Sequence, residues 1–284
     1  MIRIIFPFLM FLSLIFCCQL KNPFEIEYNY ILKASVLKWY EGHKAAVSIN
    51  YDAAWGMHEK LQYTVDKIIN RNLRMDFEMI TEIYYQTRYQ YLIEQMRDEL
   101  MPQGIHFFGH GHFHINHDAV GFDSAYCSFK KCYDLMKQWG LNPKAYAYPG
   151  SHGRNDSTQL ANKLAGFICA RGVTYNEDEF YICPDNIEEP DNWYYLQSIP
   201  VAYEYENYIQ NHEEMALILD SALERSAWII IMYHNIEIEG GWGYYPFDEF
   251  KQDIDQIVEN DFWVANLDLV AAYIQEKNDS ALEI

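Results

Sequence analysis

Short apolar runs alternate with longer stretches in which apolar residues recur three and four positions apart, from about residue 44 to residue 276. The short runs read as strands over residues 45–51, 73–79, 105–108, 145–148, 166–170, 199–203, 228–233 and 262–265. The longer stretches predict helices over 58–71, 82–100, 123–139, 213–225, 248–259 and 267–276. A further helix, capped by Asp156 or Ser157, runs to Leu164. Strands that alternate with helices imply parallel pairing through crossovers. Seven or eight such strands suit a closed barrel better than two sheets, and no Gly-, Ser- or Pro-rich linker splits the region. In a β/α barrel the chemistry gathers where strands end.

The N-terminus has a different pattern. A single early charge, Arg3, precedes an almost wholly apolar run from Ile4 to Phe16 and then Cys17 and Cys18. That length suits a signal peptide and is short for a spanning helix. The run ending in two cysteines resembles a bacterial lipobox, with Cys18 the better anchor because small Cys17 precedes it. The expected organisation is a signal over 1–18, a tether over 19–40, the barrel over 41–277 and a tail over 278–284. The expected location is the bacterial cell envelope after export, with membrane contact only through an N-terminal lipid or signal anchor. Cys127, Cys132, Cys169 and Cys183 show no zinc-type spacing and read as buried free thiols.

A formal net charge of −20 repels phosphate backbones, so nucleic acid is excluded as a partner and other polyanions are disfavoured. Tyrosine is abundant, at 24 residues, and aromatic rings stack on sugar faces, although core packing accounts for most of them.

The strand ends carry polar groups. Asp52 ends the first strand, and Asp76 and Glu78 alternate on the second, so both point to one side. Residues 109–118 place His110, His112, His114 and His117 directly after the third strand. His110 and His114, four apart, can converge on one ion. His234 ends the most apolar strand of the chain. Unpaired buried charges are costly, so acids and histidines at four strand ends are hard to explain as packing.

These residues carry a specific resemblance. Residues 45–52, AAVSINYD, are similar to the first motif of NodB-type polysaccharide deacetylases, carbohydrate esterase family four. HGHFH at 110–114 matches their metal motif, YAYPG at 146–150 resembles a variant of their third, and IIMYH at 230–234 resembles the last. The resemblance spans about residues 44–275 in the family's order. It implies a distorted β/α barrel of about seven parallel strands. It also implies one divalent ion, usually zinc, held by His110 and His114, with Asp52 as general base and His234 as general acid. The implied partner is an acetylated glycan, with Tyr148 and Trp242 as candidate sugar contacts; Trp55 reads rather as a loop anchor.

Two positions depart from the pattern. Ala53 stands where the family has an aspartate ligand, and Ala147 where it often has an arginine that orients the base. Asp52 could itself ligate the ion, or Asp76 or Glu78 could supply the carboxylate, or the site could hold no metal. Arg171 could replace the arginine, and His112 could support the site. The resulting expectation is a metal-dependent hydrolase removing N- or O-linked acetyl groups. The alternatives are a carbohydrate-binding protein without activity, or a hydrolase or lyase that uses no metal.

Overall fold

A computed structural model describes residues 36–184 and 190–279. The signal segment, Cys17 and Cys18 lie outside the described residues. No described helix is long and apolar enough to cross a membrane.

The strands are β1 (Ala45–Tyr51), β2 (Met75–Met79), β3 (Ile105–Gly109), β4 (Ala145–Ala147), β5 (Cys169–Val173), β6 (Leu196–Pro200) and β7 (Trp228–Tyr233), with a two-residue pair β8 (Asn235–Ile236) and β9 (Tyr244–Tyr245), and finally β10 (Phe262–Val264). β1 to β7 are parallel and follow one another round the sheet, and β1 closes the barrel on β7 through Ala46 to Tyr51. On its other edge β1 is shared. Its first half pairs with β10, and only Asn50 and Tyr51 pair with β2. This insertion of β10 at the base is what distorts the barrel.

The helices are α1 (Leu61–Asn70), α2 (Thr81–Tyr85), α3 (Gln90–Gln95), α4 (Phe122–Gln138), α5 (Asp156–Ala165), α6 (His212–Arg225), α7 (Phe247–Glu259) and α8 (Leu267–Asp279). Alternate strand residues face opposite ways. Val47, Ile49, Phe77, Phe107, Ile229 and Ile231 form the outer core with α1, α3, α6 and α7. Tyr146 and Ala170 meet α4 and α5 on the far side. Ala46, Phe108, Ala145, Cys169, Trp228 and Ile230 fill the lower interior. α8 runs beneath the strands, from Asp76 at its first turn to the Ile168 carbonyl, which Gln275 meets at 3.5 Å.

Four expectations need correction. The helix expected over 82–100 is broken: Gln86 is extended (ψ 132°), and a π-turn over Met96–Leu100 follows α3. α2 is tied to the histidine loop, with Thr81 and Glu82 donating to the Gly111 and His112 carbonyls, and Tyr84 donates to the Trp55 carbonyl. One straight helix could not keep these bonds and also bury Leu92 and Ile93. β5 and β6 begin three residues from their expected positions, because barrel pairing outweighs the local apolar run. Arg171 is therefore inside a strand. Residues 36–40, expected within the tether, pack on the barrel, since Trp39 is fully buried and its indole donates to the Ser226 carbonyl at 3.1 Å, while the rest of the expected tether lies outside the described residues. Of the four thiols, Cys132 and Cys169 are buried, but Cys127 is exposed and Cys183 half-buried.

Candidate active site

Above the apolar lower interior, the inward positions at the carboxyl ends of β1, β2, β3, β5 and β7 are polar. Asp52 follows β1 and its amide donates to the Tyr233 carbonyl at 2.9 Å, which holds it at the rim. Arg171 is buried on β5 against the Phe108 ring. Its Nη2 donates to Asp52 Oδ1 and its Nε donates to Asn50 Oδ1 at 3.0 Å. Arg171 thus orients the candidate base from another strand, in place of the arginine missing at Ala147.

His110 follows β3 and is almost fully buried. Its Nδ1 lies 2.9 Å from the Ala147 carbonyl oxygen. A carbonyl can only accept, so Nδ1 carries the proton. Burial, outweighing the opposing charge of Asp52, pushes the ring pKa down to about 3. The neutral ring then presents its Nε2 lone pair to Glu78 Oε2, 3.1 Å away. Burial, reinforced by the Asp52 charge, raises the Glu78 carboxyl well above its ordinary range. His114, on the exposed loop, lies 5.1 Å from His110 ring to ring.

His234 follows β7. Its Nδ1 is buried without a hydrogen-bond partner, and burial lowers its pKa against the opposing pull of Asp52. Trp242 stands edge-on to it at 4.6 Å and is 45% exposed. β8 and β9 and the Asn235 bond to the Trp242 carbonyl pin this loop. Gly243 has φ +73°, and a Cβ there would meet His234 Cβ at 2.9 Å, so glycine is required where the loop passes the histidine. Tyr208 and Tyr205 continue the aromatic surface at 5.9 and 6.1 Å from Trp242, and Tyr175 lies 5.4 Å beyond Tyr208. Tyr175 also lines a cavity of about 580 Å³ with Arg154, Gln159, Asn176, Asn192 and Tyr195. Sequence reading found only Trp242 of this wall, because the tyrosines come from other loops.

Several expected site residues are placed elsewhere. His112 turns away and bonds Thr81 Oγ1 through Nδ1 at 3.0 Å, so it anchors the loop to α2. His117 packs on Phe129 and bonds Ser128. Tyr148 is buried among Phe129, Tyr146 and Tyr195 and offers no ring face to a sugar. Trp55 is the expected loop anchor, donating to Gln95. Asp76 lies one layer lower, and both its oxygens are taken. Oδ1 accepts from Asn266, and Oδ2 from the Leu267 amide and Asn50.

Among the described residues, the His, Cys, Asp or Glu group that brings three ligand atoms within 4.8 Å of one another is Asp76, His106 and Asp268, at the barrel base. Lys144 lines the same small cavity, and Asp76 is already saturated, so a dication is poorly served there. His110, His114 and Asp52 do not converge to that degree. Arg171 holds Asp52, and His114 stands out on its loop.

No protein-family model matches the chain, and no curated protein matches it in sequence. Solved structures do. A probable polysaccharide deacetylase from Pseudomonas aeruginosa is 13% identical, with a TM-score of 0.55 over 84% of this chain and 93% of that one. The chain has the polysaccharide deacetylase fold. The family 4 esterase domain of a multidomain xylanase from the hindgut metagenome of Trinervitermes trinervoides matches at 10% identity and TM-score 0.50, over 84% and 93%. A mutant of a family 4 pseudoenzyme matches at 11% and 0.50, over 87% and 77%. The distorted barrel expected from the motifs is therefore the observed one.

Proposed function

We propose that this chain is a hydrolase that removes acetyl groups, N- or O-linked, from a polysaccharide or oligosaccharide at the cell envelope. The observation that carries the reading is the buried Asp52–Arg171 pair beneath His234. Burying such a pair gains little for folding over apolar packing. Here it aims one carboxylate at the open end of the barrel, where His234 also stands with its Nδ1 free.

The donor types of His110 and His114 suit a divalent ion, with zinc the first choice. His110 offers a lone pair fixed by the Ala147 carbonyl, and His114 is a second imidazole on the adjoining loop. When bound, the ion would polarise the acetyl carbonyl and acidify a water molecule. Asp52, oriented by Arg171, would take a proton from the attacking water. His234 would pass a proton to the departing amine or hydroxyl. Trp242 and the tyrosines beyond it would stack on the sugar rings.

The test is acetate release from N- and O-acetylated oligosaccharides by chelator-treated protein, with and without added zinc. A protein that binds these sugars but releases no acetate in either condition is the carbohydrate-binding alternative, which Ala53 favours. Acetate release without any ion would point to the metal-independent reading.

Export and lipid attachment at Cys18 belong to the same proposal, on the apolar run that precedes the paired cysteines. Cys18→Ser should move the protein from the membrane fraction to the soluble one. Unchanged, unprocessed membrane-bound protein would identify an uncleaved anchor instead.

A further inference from the structure

We propose that Glu78 is the carboxylate ligand of the divalent ion at this site, in the place left by Ala53. The inference rests on the proposed deacetylase reading only in assuming that an ion binds beside His110.

β1 and β2 pair with Asn50 opposite Asp76 and Tyr51 opposite Phe77. Carried one residue further, that register sets Glu78 beside Asp52. An acid on β2 therefore reaches the part of the barrel where an aspartate after Asp52 would otherwise stand. Ala53 itself packs against the outer core.

His110 Nδ1 donates to the Ala147 carbonyl, so Nε2 has only a lone pair to offer. It faces Glu78 Oε2 at 3.1 Å, with both side chains buried. At this separation a positive centre lies between the two atoms, and either a carboxyl proton or a metal ion can fill that place. Ligand bonds of about 2.0–2.2 Å set neighbouring ligand atoms on one zinc ion about 3–3.5 Å apart. The observed separation falls in that range.

Asp52 is held by Arg171, and Asp76 by Asn266, Asn50 and the Leu267 amide. Among the described residues, Glu78 has no hydrogen-bonding partner other than His110. His114 is the adjustable third ligand, close in space but on an exposed loop.

The experiment uses the mature protein, stripped with chelator and titrated with Zn²⁺ by calorimetry and with Co²⁺ by visible absorption. Wild type should bind one ion. Glu78→Gln should weaken zinc binding by more than the roughly 10–100-fold typical of losing an outer-shell partner. Asp76→Asn, on the same strand, should leave zinc affinity unchanged. Should Glu78→Gln not fold, Glu78→His reports the same contact, since an imidazole nitrogen reaches nearly as far as the carboxylate oxygen and shifts the visible bands of bound Co²⁺. If Glu78→Gln binds zinc like wild type, or if Glu78→His folds and binds Co²⁺ with a spectrum identical to wild type, Glu78 is not a ligand and the deacetylase reading stands. If wild type binds neither ion, the assignment falls, and acetate release decides the deacetylase reading separately.

Discussion

The two ends of the barrel hold the same kinds of residue and use them differently, and β2 shows both uses within three residues. Asp76, near the base, accepts from Asn266, Asn50 and the first amide of α8, so its oxygens are spoken for by fixed donors. Glu78, near the rim, faces one imidazole nitrogen that has no proton to give it. The base is closed by Trp39, Trp228 and α8, whereas the rim opens toward Trp242 and the tyrosines. A buried acid whose hydrogen-bonding capacity is filled stabilises the fold. One whose single contact is a proton-free imidazole nitrogen can yield that contact to an ion.

Arg171 links the two layers. Removing one partner of a buried pair costs about 3–5 kcal/mol, so Arg171→Leu should lower the unfolding free energy by about that much. Denaturant titration would show it. Asp52→Asn together with Arg171→Leu should recover part of the loss, because no lone charge is then left buried.

Chemistry should reside at the rim alone. Asp52→Asn and His234→Ala should each lower the rate of acetate release about a hundredfold or more while leaving glycan affinity nearly unchanged. The rate should also rise and fall with pH. Its alkaline limb should lie below the ordinary histidine range, in line with the lowered His234 pKa. Acetate release that survives both substitutions would remove these residues from the mechanism.

The base should reveal itself in stability. Burial, with Asp268 adding to it, raises the Asp76 pKa from 3.8 to about 7. Between these values the folded state holds a proton that the unfolded chain has lost. The contribution of Asp76 is therefore full below about pH 4 and is lost as pH rises through about 7. Asp76→Asn should flatten that slope in thermal unfolding. Removal of one bonded oxygen should itself cost about 1–3 kcal/mol. A slope unchanged from wild type would mean that Asp76 does not titrate in this window.

The smallest effect belongs to the sugar wall. Losing one aromatic face is worth about 1 kcal/mol, so Trp242→Ala should raise KM for an acetylated oligosaccharide about fivefold with kcat nearly unchanged. A fall in kcat at constant KM would assign Trp242 to positioning His234 instead.

Much of this was legible along the chain. The alternation of short apolar runs and helical periodicities determined a parallel β/α barrel, because strand and helix periods are local properties of the sequence. The order of Asp52, His110, His114 and His234 at strand ends was equally local. Local pattern could not set the limits of β5 and β6, since pairing partners choose them, and so it could not place Arg171 inside a strand. Neither could it sort the four clustered histidines. His112 and His117 differ from His110 only through Thr81 and Ser128, which lie on other elements. The choice between Asp76 and Glu78 shows the limit most clearly. Alternation put both acids on one side of β2. The donors that saturate Asp76 come from Asn50, Asn266 and Leu267, and the acceptor that turns a bare His110 nitrogen toward Glu78 is the Ala147 carbonyl; only closing the barrel brings those groups within hydrogen-bonding distance.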